Sequence, residues 1–321
     1  MNKSKGDDCS TKNMKSSNFN HGGNVYAKAK KLNLSPSEII DSSASLVPFK
    51  PPQILLNSLN AEIKNLGFRF YPERDLNSLK ETIGEFHKIN PENILPGNGA
   101  SELITWAGYE ASKLGISCIP SPGFVDYERS LNCWNGNLIY SELPKDWSNI
   151  FPQPFPLKPI GDVIWITNPH NPTGQLWEKE SLESILKQYK LVICDEAFLS
   201  MTPNGEKQSL IPLTKKYDNL LVLRSLTKLF NIPGLRLGYV IGSPQKLRKW
   251  NINRDPWPLN SFAIKAGIEL LSNKSFYEQW TKKIHNWINT EKKWVYDALS
   301  KVDNLKIHSS STNFFLIESK S

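Results

Sequence analysis

From residue 94 onward, short apolar runs alternate with helical stretches, and that alternation leaves few architectures open. The runs SCIPS near 117–121, NLIYS at 137–141, DVIWIT at 162–167, LVICD at 191–195, LLVLR at 220–224 and LGYVIG at 237–242 have the length and composition of buried strands. Helical spacing around 101–114, 124–132, 178–189 and 206–216 fills several of the gaps between them. The pattern predicts an α/β domain with a mostly parallel central sheet flanked by helices.

Upstream, Pro48, Pro51 and Pro52 open a helix with Ile54, Leu55, Leu59 and Ile63 at roughly helical spacing. A second helix is predicted from about Asp75 to Lys88, with Asp75 as its cap. After Pro258, a long helical region carries Phe276, Trp280, Ile284, Trp287, Ile288, Trp294, Val295 and Leu299. Aromatics so spaced suit packing better than a ligand box. NFFLI at 313–317 reads as a last strand. Residues 1–20 have almost no apolar content with which to offset ordering entropy, and read as a flexible arm.

Composition narrows the function classes. Of 321 residues, 39 are basic and 31 acidic, for a net charge of +8. The positive residues are scattered rather than striped and no nucleic-acid motif accompanies them, so no nucleic-acid partner is expected. No apolar run approaches the roughly 20 residues that span a bilayer, and the polar start MNKSKGDDCSTKNMKSSNFN holds no secretory apolar segment. Cys9, Cys118, Cys133 and Cys194 have neither the density of a disulfide scaffold nor a metal-binding spacing. The expectation is a cytoplasmic protein with no membrane partner and no metal.

Four motifs fall where strands end, and ligands bind beyond the carboxyl ends of parallel strands. LPGNGASEL is a glycine-containing turn entering a helix: Gly97 and Gly99 allow close backbone approach, and Ala100 and Ser101 offer free N–H groups that suit a phosphate. A plain helix-entry turn would look the same. In ITNPHNPTG, two amides, Asn168 and Asn171, stand between Pro169, Pro172 and Gly174, which a turn alone does not explain. VICDEAF ends an apolar strand in Asp195 and Glu196, where a carboxylate needs a cation or donors to offset desolvation, unless it caps the next helix. In SLTKLFNIPGLRLGY, Lys228 lies between Ser225, Thr227 and Arg236, among apolar Leu226, Leu229, Phe230 and Ile232, placed to lose its proton and act as an amine nucleophile.

Taken in order, GNGASE, NPHNPTG, DEAF and SLTKLFNIPGLRLG resemble the pyridoxal-phosphate enzymes of the aspartate aminotransferase fold, from about His21 to the end of the chain. The resemblance implies a fold-type I architecture: a flexible arm over 1–20, a segment 21–48 that contributes to the substrate pocket and the small domain, a large cofactor-binding domain over 49–255, and a smaller C-terminal α+β domain over 256–321. It implies that Lys228 bonds covalently to pyridoxal 5'-phosphate and that Asp195 pairs with the pyridinium nitrogen. Asn171 would bond the phenolic oxygen, and Phe124 of SPGFVDY would stack on the ring. Gly99, Ala100, Ser101, Ser225 and Arg236 would hold the phosphate. Tyr71 of RFYPE would reach the phosphate of a neighbouring subunit, which implies a homodimer. Many members have tyrosine at the position of Phe198.

Two groups within that family compete. Histidinol-phosphate aminotransferases share the core motifs and the Tyr71-Pro72 pair. Threonine-phosphate decarboxylases of cobalamin synthesis share them too, and resemble this chain further in His21-Gly22-Gly23-Asn24, in DEAF, in SLTK followed by PGLRLGY, and in Pro256-Trp257. The preferred expectation is decarboxylation of L-threonine O-3-phosphate, with an aminotransferase as the alternative. On the resemblance, His21 would bond the phosphate of this small substrate, and Ser45 stands where relatives have a substrate-facing asparagine. The relatives continue past NFFLIE into elements bearing substrate-binding arginines, so the small domain reads as incomplete. A cofactor-binding protein with little turnover is therefore a further alternative, unless Arg69, Arg74 or Arg254 supplies the cation.

Overall fold

A computed structural model describes residues 22–319, in two compact units, one up to Ala44 and one from Ser45 onward. The first unit holds helix α1 (Val25–Leu32), whose start is capped by the Asn24 side chain. His21 and the arm lie outside the described residues.

The second unit opens with α2 (Gln53–Lys64) and α3 (Asn77–His87). The expected cap of α3 is corrected: Asp75 does not cap it, and the Glu73 carboxylate accepts from the N–H groups of Asn77 and Ser78. A glutamate two residues earlier reaches the same free donors that a capping aspartate would take.

Seven strands then form one sheet: β1 (Ile94–Asn98), β2 (Ser117–Ser121), β3 (Leu138–Glu142), β4 (Val163–Thr167), β5 (Leu191–Asp195), β6 (Leu220–Ser225) and β7 (Leu237–Ile241), in the order β1-β7-β6-β5-β4-β2-β3. Neighbours from β3 to β6 pair in parallel, while β7 runs antiparallel to both β6 and β1. Six strands therefore end on one edge, and β7 begins on that edge. Between strands lie α4 (Gly99–Leu114), α5 (Asp126–Asn132), α6 (Lys179–Leu186) and the single turn α7 (Thr227–Phe230). The chain continues through α8 (Pro244–Asn253), α9 (Ser261–Ser272) and α10 (Lys274–Leu299), and then β8 (Leu305–Ile307) pairs antiparallel with β9 (Ile317–Ser319).

Successive strand residues face opposite cores, as the period of two requires. Ile164, Val192 and Val222 point into one, with α3, α6, α9 and α10; Trp165, Ile193 and Leu223 point into the other, with α4, α5 and α8. Both faces are dry, which is why these strands read as unbroken apolar runs.

Two segments depart from expectation. Residues 206–216 form short 3₁₀ turns rather than an α-helix, with Gly205 and Pro212 interrupting the helical spacing. NFFLI is not a strand over 313–317; pairing begins only at Ile317, because the preceding residues dock on the loops of the sheet edge described next.

Candidate active site

The registers bring the predicted motifs to one edge. Thr167 is the cross-strand partner of Asp195, Asp195 of Leu223, and Ser225 of Gly238. Asn98 pairs with Leu237, so the β1–α4 turn meets Arg236 as it enters β7.

Asp195 is 4% exposed, with Oδ1 accepting from Ala197 N–H at 3.0 Å and Oδ2 from the Tyr127 hydroxyl at 3.0 Å. Burial pushes its carboxyl up to about 6, with the N–H, the phenol and the charge of Lys228 acting the other way. The local turn and the buried acid, alternatives on sequence, thus coexist: one oxygen fastens the 195–197 turn. Tyr127 was not anticipated. Its hydroxyl also lies 2.7 Å from Thr167 Oγ1, and its ring stacks on Trp165 at 4.9 Å. A signal existed, since Tyr127 falls one helical turn after Phe124, and the two rings meet edge to face at 5.5 Å.

Lys228 is half-buried on α7, between Leu226, Leu229 and Phe230, all 4% exposed or less. Trp280 on α10 stacks on Phe230 and donates from Nε1 to the Leu229 carbonyl at 2.9 Å, fixing that turn from behind. The Lys228 ammonium lies 5.6 Å from the centre of the Phe198 ring, which in turn meets Phe314 at 5.0 Å. The aromatics of α10 nearest the site therefore pack, as their spacing suggested, though Trp294 is exposed.

The two amides of NPHNPTG have different duties. Asn168 is fully buried and spends both ends of its side chain on Trp177, accepting from its N–H and donating to its carbonyl. Asn171 is half-buried, and its amide makes no hydrogen bond to the protein among the described residues. The loop is held from outside by Ser311, whose N–H and hydroxyl both donate to the Gly174 carbonyl, at 2.8 and 2.7 Å. Next along, Asn313 Nδ2 donates to the Ser45 carbonyl at 3.1 Å, with Ser45 in the left-handed region at φ +49°.

At the other end of the edge, Arg236 Nη2 donates to Ser101 Oγ at 2.9 Å, and the Arg236 carbonyl accepts from Gly99 N–H at 3.0 Å. No carboxylate pairs with this guanidinium among the described residues. A side chain at Gly99 (φ +74°) would run into it, and a Cβ at Gly238 would lie 2.7 Å from Ala100 N. Nearby, Glu102 accepts from Asn98 N–H and is offset by Arg254 at 3.7 Å. A cation without an acid, the Ser101 hydroxyl and the start of a 16-residue helix form an anion cradle, with Ser225 opposite Gly238 on the adjoining strand. This donor set, with a buried acid and an uncommitted amide further along, fits pyridoxal 5'-phosphate.

Three further residues named from the sequence lie away from this cluster or outside the described residues. Tyr71 stands 79% exposed, its ring 4.5 Å from that of Trp257, on the surface of its own chain, where a side chain meant for a neighbouring subunit's phosphate can stand. Arg254 is buried and committed to Glu102 and the Pro96 carbonyl, so it is not the spare cation suggested by sequence. His21 falls outside the described residues. No group of three or more His, Cys, Asp or Glu side chains could hold a metal among those residues, and no helix there is long and apolar enough to cross a membrane.

Comparison with known proteins places the chain in a family. The model of the aminotransferase class I and II family matches residues 30–321. The chain is 34% identical, over 94% of its length and 80% of the relative's, to a protein of Caldanaerobacter subterraneus subsp. tengcongensis whose name assigns it provisionally to the threonine-phosphate decarboxylases. It is 30% identical to the threonine-phosphate decarboxylase of Salmonella typhimurium, over 94% of this chain and 82% of that protein. Among solved structures, the histidinol-phosphate aminotransferase of Clostridium acetobutylicum matches with a TM-score of 0.76 at 28% identity, covering 88% of this chain and 84% of that one.

Proposed function

The chain belongs to the aminotransferase class I and II family, an enzyme family whose cofactor is pyridoxal 5'-phosphate, and within it we propose that this protein decarboxylates L-threonine O-3-phosphate to (R)-1-aminopropan-2-yl phosphate for cobalamin biosynthesis. The observation that carries the choice of reaction is the likeness to threonine-phosphate decarboxylases over 94% of the chain.

When bound, the cofactor supplies an electron sink for the pair left by a bond broken at the substrate's α-carbon. The residues of this chain do the rest. Arg236, Ser101, Ser225 and the Ala100 N–H would hold the phosphate, and Gly99, which has no side chain, leaves room for it beside Arg236. Asp195, supported by Tyr127 and Ala197, holds the positive charge of the ring nitrogen. Asn171 donates its amide to the phenolic oxygen, and Phe124 lies against the ring. Lys228 would hold the cofactor covalently through Nζ, and its amine would be the group at hand to carry a proton to the substrate's α-carbon. Which bond breaks depends on which one the pocket sets perpendicular to the ring, and for that we assign His21 and the Ser45 segment to the substrate. We further propose a cytoplasmic homodimer. The exposed Phe68, Phe70, Tyr71 and Trp257 support it, since such a patch marks an interface. The large domain would be 49–255 and the small one 256–321.

A substrate panel tests the reading. Turnover is expected with phosphothreonine and not with threonine, with no keto acid required. Amino transfer from histidinol phosphate to a keto acid would favour the rival supported by the structural likeness to the aminotransferase.

A further inference from the structure

We infer that His170 is a positioning residue: its imidazole ties the loop carrying Asn171 to the loop carrying Phe124, and so sets the spacing of two walls of the cofactor cleft. The inference rests on the proposed places of Asn171 and Phe124, not on the choice between decarboxylation and amino transfer.

His170 is 1% exposed, and its Nε2 lies 2.7 Å from the carbonyl oxygen of Pro122, two residues before Phe124. A carbonyl only accepts, so Nε2 carries the hydrogen and Nδ1 is left as a bare acceptor. Nδ1 is buried and has no partner among the described residues. Burial lowers the imidazole to about 4, so the ring is neutral at pH 7 and the tautomer is fixed. On its own side the residue is anchored by its backbone: its N–H donates to the Gln175 carbonyl and its carbonyl accepts from Gly174 N–H, both at 2.7 Å. The ring is thus held by a closed turn at one end and grips a second loop at the other. β2 and β4, which deliver these loops, are neighbours that pair only through Ser117 and Cys118, at the far end of both strands from the loops. Near the loops the ladder does not set the separation; the imidazole ties the two loops directly, beyond the Tyr127–Thr167 hydrogen bond that joins α5 to the end of β4.

The test is a comparison of His170→Gln, His170→Asn and His170→Phe in the full chain, reading the Kd for pyridoxal phosphate and the visible circular dichroism of the bound cofactor. Glutamine carries an N–H donor to about the reach of Nε2, while asparagine falls one methylene short with the same polarity. The expected result is affinity within about threefold of the parent for glutamine, and about tenfold weaker for asparagine and phenylalanine with the dichroic band at least halved. A merely structural histidine would leave glutamine and asparagine alike, and that result overturns the inference, as does an unchanged phenylalanine variant. If the phenylalanine variant does not fold, the glutamine–asparagine pair decides. Phe124→Ala separates the layers. If it leaves affinity and dichroism unchanged, the placement of Phe124 fails and the inference with it; if it shifts them while His170→Asn does not, only the inference fails.

Discussion

The phenolic hydroxyl of Tyr127 donates to Asp195 Oδ2 at 3.0 Å, joining the start of α5 to the end of β5 across 68 residues of sequence. The acid proposed to face the ring nitrogen is thus oriented from the α5 side of the sheet, and by a neutral donor, since burial holds the Tyr127 phenol well above its ordinary range. Removing the hydroxyl removes a hydrogen bond to a charged group, typically about 1.5–3 kcal/mol. In Tyr127→Phe the Asp195 carboxyl should rise further above 6, and the pH below which cofactor binding fails should move up with it. Spectrophotometric titration of cofactor from pH 5 to 8 measures this, and an unmoved inflection would mean that Tyr127 does not support the acid.

The same burial has a consequence for the protein without cofactor. Asp195 binds its proton more tightly folded, at about 6, than unfolded, near 3.8. Between those values the folded state holds more protons, so this group's stabilising contribution is full below about pH 4 and is lost as the pH rises through 6. Asp195→Asn cannot ionise and should therefore be more stable than the parent at pH 7, by on the order of 2–3 kcal/mol, while losing its activity. Urea unfolding at pH 4 and pH 7 should show the two proteins diverging as the pH rises; parallel curves would count against a buried, ionised Asp195.

Gly99→Ala should damage the anion cradle alone. The added Cβ meets Arg236 Nη2 and sits at φ +74°, where a side chain costs about 1–2 kcal/mol. Cofactor affinity should fall tenfold or more. Free phosphate, which competes for the same cradle, should protect the parent from cofactor binding but have little effect on the variant. Equal competition in both would show that the phosphate sits elsewhere.

Much of this site can be read directly from sequence, and the reason is physical. Asp195 closes an apolar strand and Lys228 sits within an apolar turn, so their chemistry shows in their neighbours. β5 and β2 match the runs that announced them. Pro96 and Gly97 give β1 the look of a turn; among the described residues it pairs only with β7, at the sheet edge where such residues are tolerated. Tyr127 and His170 act through partners supplied by strand order, and strand order is not written in local spacing. The irregular course of 311–313 has the same origin: Ser311 and Asn313 hydrogen-bond to Gly174 and Ser45 rather than to a neighbouring strand.

That last segment yields a prediction about substrate rather than cofactor. Asn313→Ala removes the hydrogen bond that holds the Ser45 carbonyl, a loss of about 1 kcal/mol. KM for phosphothreonine should rise about fivefold with cofactor affinity unchanged. A change in cofactor affinity without one in KM would detach Ser45 from the substrate.

The central claim is tested most directly by the fate of the substrate's carboxyl carbon. L-threonine O-3-phosphate labelled with ¹³C at the carboxylate should be incubated with the cofactor-loaded protein, without keto acid, and followed by NMR, with Lys228→Ala as the control that should be inactive and give no borohydride-stable link. The account predicts labelled carbon dioxide or bicarbonate, an equal amount of unlabelled aminopropyl phosphate, and neither product from the control. Label retained in a phosphorylated keto acid, appearing only when an amino acceptor is added, would contradict it.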